Sequence, residues 1–285
     1  MNRISLVLFG IGSMAIASPA IAWDCSGKKD ALGVTKFDNS IAFSKSYLNV
    51  DADGAPNAYR VDGNGLSYTC DGVVAIENGR RVTPESDRVK WQQKCNAAWK
   101  LAKATNDFSN VAIFGFATDA KHRPLVQGEG DPLPGVAYIT TTSVEIPEAP
   151  MGTQRRQIDA TKIPYVVLPS NLVKQYGIKP AAVAIVYRPS IEKVAFAVYG
   201  DGGRLGEGSV KLHMELGSNP MILNNGVERA KRRIEDEIIT IVFPEKSTDR
   251  VLDFDVWTAQ IKELGDEQLK AFGGVERLKA CSARL

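Results

Sequence analysis

The sequence predicts a mainly β protein: a barrel-like core of short strands with helices at its periphery, α+β in overall class. Three observations predict it. Residues 47–80 are cut into short pieces by Gly- and Asp-rich turns, at Asp51-Ala52-Asp53-Gly54, Val61-Asp62-Gly63-Asn64-Gly65 and Cys70-Asp71-Gly72. Asn, Asp and Gly tolerate the left-handed backbone that tight turns need. Short apolar runs then recur at 111–116, 164–168, 181–187, 193–199 and 238–243, bounded by Pro, Gly or polar turn residues, as strands are. Helical patterning is confined to 84–105, a few short segments and the tail.

The elements follow in order. Residues 23–46 give few firm signals. Pro84 and Glu85 can open a helix over 84–105, with Val89, Trp91, Cys95, Trp99 and Leu101 on an uneven apolar face. A strand is expected at 111–116 and a short one at 136–143, within a stretch rich in Pro and Gly. The apolar run 164–168 is stopped by Pro169; Ser170 can cap a helix over 171–176 that ends at Gly177. Runs 181–187 and 193–199 form the simplest of hairpins. Ser209 is a candidate cap for a helix ending at Gly217, and a strand at 238–243 is stopped by Pro244. The amphipathic tail 256–281, broken at Gly265 and Gly273-Gly274, reads as two or three packed helices.

Residues 1–22 read as a secretory signal: Asn2 and Arg3 form a short basic start, an apolar stretch follows, and Ala20-Ile21-Ala22 gives a small-x-small cleavage site. The stretch is too short for a comfortable membrane span, and no later segment is long enough. The mature chain, 23–285, is then expected to be one domain, secreted or periplasmic. Its core is expected at about 110–245, with a helical extension over 255–282. All four cysteines, Cys25, Cys70, Cys95 and Cys281, fall in that part. Export makes disulfides the expectation, with three pairings open. A Cys25–Cys281 bridge would tie the ends together, and Cys70–Cys95 would close a local loop.

No CxxC occurs and the histidines are only His122 and His213, so no metal and no cofactor is expected. The Asp-x-Asp-Gly segment lacks the ligand series of a calcium loop and is read as turns. A net charge of +2 does not suggest nucleic acid. The basic run 229–233 is surrounded by Glu228, Glu235, Asp236 and Glu237 and reads as a solvated helix face. The chain is read as a monomer.

One constellation carries chemistry. Residues 198–209 read Val-Tyr-Gly-Asp-Gly-Gly-Arg-Leu-Gly-Glu-Gly-Ser. The strand ending here delivers Asp201 to a Gly-rich link, and Glu207 lies just before a helix start, where backbone N–H groups favour negative charge. Cleavage of a glycosidic bond needs such a pair: one carboxyl protonates the leaving oxygen and the other, ionised, activates water or attacks carbon. Taken alone, an Asp and a Glu at this spacing are most often ordinary turn residues. Asp201, after an apolar strand, suits the acid and Glu207 the base, with the opposite assignment open.

Further segments, in chain order, give the pair a context. These are Asp51-Ala52-Asp53-Gly54, Gln127-Gly128, Pro134-Gly135, Tyr138-Ile139-Thr140-Thr141-Thr142-Ser143, residues 158–169, Gly200-Asp201 with Gly206-Glu207-Gly208-Ser209, and 238–244. Together they resemble glycoside hydrolase family 75, the secreted endo-chitosanases and their bacterial relatives, over roughly residues 110–245. The resemblance implies hydrolysis of β-1,4-linked glucosamine polymers with inversion, using Asp201 and Glu207. The link between the two is shorter than in the fungal enzymes, and residues 70–105 and the tail have no clear counterpart.

Residues that read a cationic sugar should be further carboxylates. Asp51, Asp53, Glu129 and Asp159 are the candidates, and Tyr199 and Arg204 flank the pair. Tyr138, Trp91 and Trp99 could stack on sugar rings, although packing in the core is the commoner use of such side chains. The expected partner is a polysaccharide. Peptidoglycan glycan is the alternative substrate, and a non-catalytic glycan-binding or interaction module the alternative use of the scaffold.

Overall fold

Strand order explains most of what this sequence does. The computed structural model describes residues 25–37 and 39–282; the expected signal at 1–22 lies outside them. The N-terminal part supplies β1 (Thr35–Lys36), β2 (Ile41–Lys45) and β3 (Asn49–Asp51). A small unit follows, with β4 (Val73–Glu77), β5 (Arg80–Val82), α1 (Trp91–Thr105) and β6 (Val111–Ile113). The middle holds β7 (Tyr165–Leu168), α2 (Ser170–Tyr176), β8 (Ala182–Arg188), β9 (Lys193–Gly202), β10 (Glu207–Ser209) and α3 (Val210–Glu215). The chain ends with β11 (Met221–Asn224), β12 (Val227–Ala230), β13 (Ile238–Ser247), α4 (Phe254–Phe272) and α5 (Gly274–Ser282).

Eight strands form one sheet in the order β1-β2-β13-β8-β9-β7-β10-β3. The protein is mixed α/β, with more strand than helix, and the sheets do not close into a barrel. This corrects the barrel-like core expected from the turns. The sheet ends on two-residue β1 at one side and three-residue β3 at the other, and these edges do not pair with each other. The core is also wider than 110–245, because β2 pairs with β13 and β3 with β10. Most neighbours are antiparallel, but β7 with β9 and β3 with β10 are parallel.

Period-two alternation decides what each face buries. On one face, Ile239, Ile241 and Phe243 of β13 and Ile185 and Tyr187 of β8 pack with Phe272 and Leu278 of the C-terminal helices. Gly265 does not break the tail. It lies inside α4, where an added Cβ would stand 2.4 Å from the Phe196 ring. The glycine lets the helix approach β9.

Other expectations need local correction. The helix at 84–105 begins only at Trp91, because Thr83, Ser86 and Asp87 bond into turns ahead of it. The residue flanking α2 on its N-terminal side is Pro169, with no side-chain cap, so Ser170 is inside the helix. Pro244 does not end its strand: β13 shifts register between Val242 and Ser247, and the Pro244 carbonyl accepts the Lys179 N–H. The run 229–233 is no helix face. β11 and β12 form a hairpin, which buries Arg229, and its guanidinium donates to the carbonyls of Gly63, Gly65 and Ser67 at 3.0, 2.6 and 3.0 Å.

The described cysteines all pair, Cys25 with Cys281 and Cys70 with Cys95. Among the described residues no helix is long and apolar enough to cross a membrane.

Candidate functional site

The sheet order places the ends of β9, β10 and β3 side by side. Glu207 pairs with Asn49 and Ser209 with Asp51, while Val167 of the intervening β7 pairs with Asp201. Residues about 150 apart in sequence therefore meet without long side chains having to reach.

A bulge aims Asp201. Along β7 and β9, Val166 pairs with Tyr199 but Val167 pairs with Asp201, so Gly200 is the extra residue. Such bulges redirect the side chain that follows. Only glycine fits there, since a Cβ on Gly200 would stand 2.6 Å from that of Tyr165. Asp201 is 8 % exposed, and its Oδ1 accepts the N–H groups of Ser143 and Gly202, both at 2.7 Å. Burial raises its pKa and those two bonds pull it back, leaving a net rise. Glu207 has one weaker donor, the Arg204 N–H at 3.3 Å. Its pKa is also raised, first by burial, with the Asp201 charge adding to the rise.

Asp51 ends β3 and Asp53 stands on the turn after it, with the Asp53 N–H bonded to Asp51 Oδ1 at 2.9 Å. The turn is held from behind. Tyr165 donates its hydroxyl to the Asp53 carbonyl at 2.8 Å, Gln154 donates to the Gly54 carbonyl at 2.9 Å and Gln127 to that of Pro56 at 2.7 Å. Both carboxyls titrate well above the ordinary range. Burial is the largest cause; Asp201 adds charge repulsion at Asp51, and Asp51 and Asp201 do so at Asp53. Oxygens of Asp51, Asp53 and Asp201 lie within 4.8 Å of one another, so these are the residues that could hold a hard metal ion.

These groups line an open cleft of about 660 Å³, together with Asp71, Trp91, Phe114 and Arg204. Asp71, whose carboxylate accepts the Tyr68 N–H at 3.0 Å, makes a fifth carboxyl. Arg204 is the one basic side chain among the lining residues, and it pairs with Glu85 at 2.8 Å. Trp91 is half-buried at the rim, and Phe114 is 50 % exposed there.

Of the residues expected from sequence, Asp201, Glu207, Asp51, Asp53 and Arg204 thus come together. Trp91 lines the same cleft, and the rest do not. Glu129 is exposed on the loop before Asp131. Asp159 lines a separate cavity of about 240 Å³ and is bonded to Thr161. Tyr199 is buried in β9. Tyr138 is buried and stacked on Phe116 at 4.6 Å, and Trp99 meets both rings edge-on. The aromatic trio considered for stacking therefore divides, with Trp91 at the cleft and the other two in the core. Asp71, Phe114, Ser143 and the bracing Tyr165, Gln127 and Gln154 were not assigned from sequence. Ser143, Tyr165 and Gln127 lie in segments that carry the family resemblance, but their roles depend on backbone groups far along the chain.

No protein-family model matches the chain, and no curated protein matches it.

Proposed function

We propose that this protein is a glycoside hydrolase that cuts β-1,4 bonds of a polymer of amino sugars with free amines, with Asp201 and Glu207 as the reacting pair. The observation that carries this reading is the charge imbalance of the cleft: five carboxyls line it, Arg204 is its one basic lining side chain and is paired with Glu85, and of the five only Asp71 also feels Lys231 and Arg229. Raised carboxyl pKa values in such numbers cost stability, which supports reading the cleft as a site. A protonated amine is the partner that relieves them, because a cation beside Asp51 and Asp53 favours their ionised form.

The roles follow from hydrogen bonding. Asp201, with two short N–H donors, is the better carboxylate and serves as base. Glu207, with one long donor and a raised pKa, keeps the proton and serves as acid. Glu207 gives its proton to the glycosidic oxygen as the bond from that oxygen to the anomeric carbon breaks. A water oxygen bonds to the same carbon, and its proton passes to Asp201, so one water is consumed and two shorter chains leave.

The test is release of reducing ends from fully deacetylated chitosan, chitin and purified peptidoglycan, assayed in parallel with parent protein and Glu207→Gln. The parent is expected to cut the deacetylated polymer fastest, and the variant to lose 10²–10⁴-fold in turnover while keeping its melting temperature. Preference for peptidoglycan would move the substrate assignment. Absence of turnover on all three would leave a binding module.

A further inference from the structure

Ser143 gives Asp201 more than its backbone N–H. The Gly202 N–H that bonds Asp201 Oδ1 at 2.7 Å also reaches Ser143 Oγ, at 2.9 Å. One donor is thus shared, and the serine hydroxyl stands beside the carboxylate, close enough to favour its ionised form. Residue 202 has to be glycine for this, since a Cβ added there would lie 2.6 Å from Ser143 Oγ. Ser143 is exposed and lines the cleft with Asp201 and Glu207. The fold does not need its hydroxyl. The Thr142 N–H donates to Gln157 Oε1 at 2.8 Å and the Val144 N–H to the Gly200 carbonyl at 3.1 Å, and these bonds hold the segment on either side of Ser143.

The bonds at Asp201 also tell its two oxygens apart. Both backbone donors go to Oδ1, so Oδ2 is the oxygen left to take a proton. A water that gives one proton to Oδ2 has a second O–H to place. Unless that bond is held, the water's lone pair does not stay aimed at the anomeric carbon. In the reading above Asp51 and Asp53 are engaged by the sugar's ammonium. A hydroxyl oxygen has two lone pairs and one proton. The Gly202 N–H takes one lone pair of Ser143, and the other can accept the water's second O–H. We propose that Ser143 is a catalytic residue, whose Oγ holds the attacking water against Asp201 Oδ2. This rests on the glycoside hydrolase reading. The water oxygen bonds to the anomeric carbon as the bond to the leaving oxygen breaks. Its first proton passes to Asp201 Oδ2, and Glu207 protonates the leaving oxygen. The second proton stays in the new hydroxyl, and Ser143 keeps its own throughout.

The experiment measures kcat and KM on a fully deacetylated chitosan hexamer for the parent, Ser143→Ala, Ser143→Thr and Ser143→Cys, with a melting temperature for each. In Ser143→Ala, kcat and kcat/KM are expected to fall together by about 10²-fold, with KM and melting temperature unchanged. Ser143→Thr keeps the hydroxyl and should recover most of the rate. Ser143→Cys keeps the shape but offers only a weak acceptor, and it should be as slow as Ser143→Ala. It serves as the decisive variant if alanine disturbs the fold. A parent-like kcat in Ser143→Ala or Ser143→Cys would overturn the proposal and leave the hydrolase reading standing. So would a raised KM with kcat unchanged, which would make Ser143 a sugar contact, and so would a folded Ser143→Thr as slow as Ser143→Ala. No cleavage by the parent would overturn both.

Discussion

The cleft has two walls, built on opposite principles. Its floor is the sheet end where β9, β7, β10 and β3 meet, and it holds one buried and three half-buried carboxyls, with backbone N–H groups fixing Asp51 and Asp201. Its roof is the unit spanning residues 70–114, stapled by Cys70–Cys95, and it leaves aromatic surface uncovered at Trp91 and Phe114. The floor keeps polar groups where a core would be apolar, and the roof exposes apolar groups where a surface would be polar. Each departs from what stability alone favours, in opposite directions, and both departures face the same space.

The sharpest way to break this contrast is inside the roof itself. Trp99 is 7 % exposed and touches Phe108, Phe116 and Tyr138, whereas Trp91 faces the cleft. Trp99→Ala is expected to cost 3–5 kcal/mol, and Trp91→Ala about 1 kcal/mol or less, as measured by denaturant unfolding. Similar losses for the two would erase the division between core and cleft aromatics.

Next in size is the staple. Replacing Cys70 and Cys95 together by Ala frees a loop of sequence separation 25, which corresponds to about 3 kcal/mol. Thermal unfolding should show the loss. Hydrogen exchange should show it concentrated in 70–114, with the β8–β9 pairing still protected. Uniform loss of protection would mean that roof and floor unfold as one.

The smallest effect concerns acid, and it sharpens the account of the floor. His213 on α3 is fully buried. Burial, opposed by a backbone hydrogen bond at Asn49 and helped by Arg188, lowers its pKa to about 4. A histidine that titrates near 6.5 when unfolded therefore contributes stability that is full above pH 6.5. That contribution is lost as pH falls from there through about 4, by up to about 3 kcal/mol. The floor carboxyls have the opposite sign. Their folded pKa values are raised, so the native state holds more protons than the unfolded one, and their contribution improves as pH falls toward 4. His213→Leu should remove the acid loss and leave a melting temperature that rises from pH 7 to pH 4. A variant whose melting temperature still falls in step with the parent's would show that His213 is not the group responsible.

How much of this was legible beforehand depends on how local each signal was. The hairpin of β8 and β9 was readable because two apolar β-prone runs flank one turn, and the Gly-rich link after it announced Asp201 and Glu207. Pairing of β3 with β10 was not. It is parallel, short and joins residues 49–51 to 207–209, and no sequence pattern marks which short polar strand lies beside which. That pairing sets Asp51 opposite Ser209 and so brings the Asp51-Ala52-Asp53 turn to the end of β10 that carries Glu207. Trp91 and Trp99 were both visible on one helix, but eight residues put them roughly 80° apart around its axis, and the rings of Phe108, Phe116 and Tyr138, from outside that helix, cover Trp99. Gly265 and Pro244 misled for a shared reason. Both residues usually interrupt regular structure, but here one permits a close approach to Phe196 and the other sits where its strand shifts register.

The Cys25–Cys281 bridge has a mechanical meaning. The two α-carbons are 5.1 Å apart, and the bridge closes 256 residues of sequence separation into a covalent ring. Tension applied outside those two positions runs through the sulfurs and bypasses the sheet. The strands that carry Asp201, Glu207 and Asp51 are thus shielded from a pull applied outside the bridge, and the cleft can keep its shape under that load.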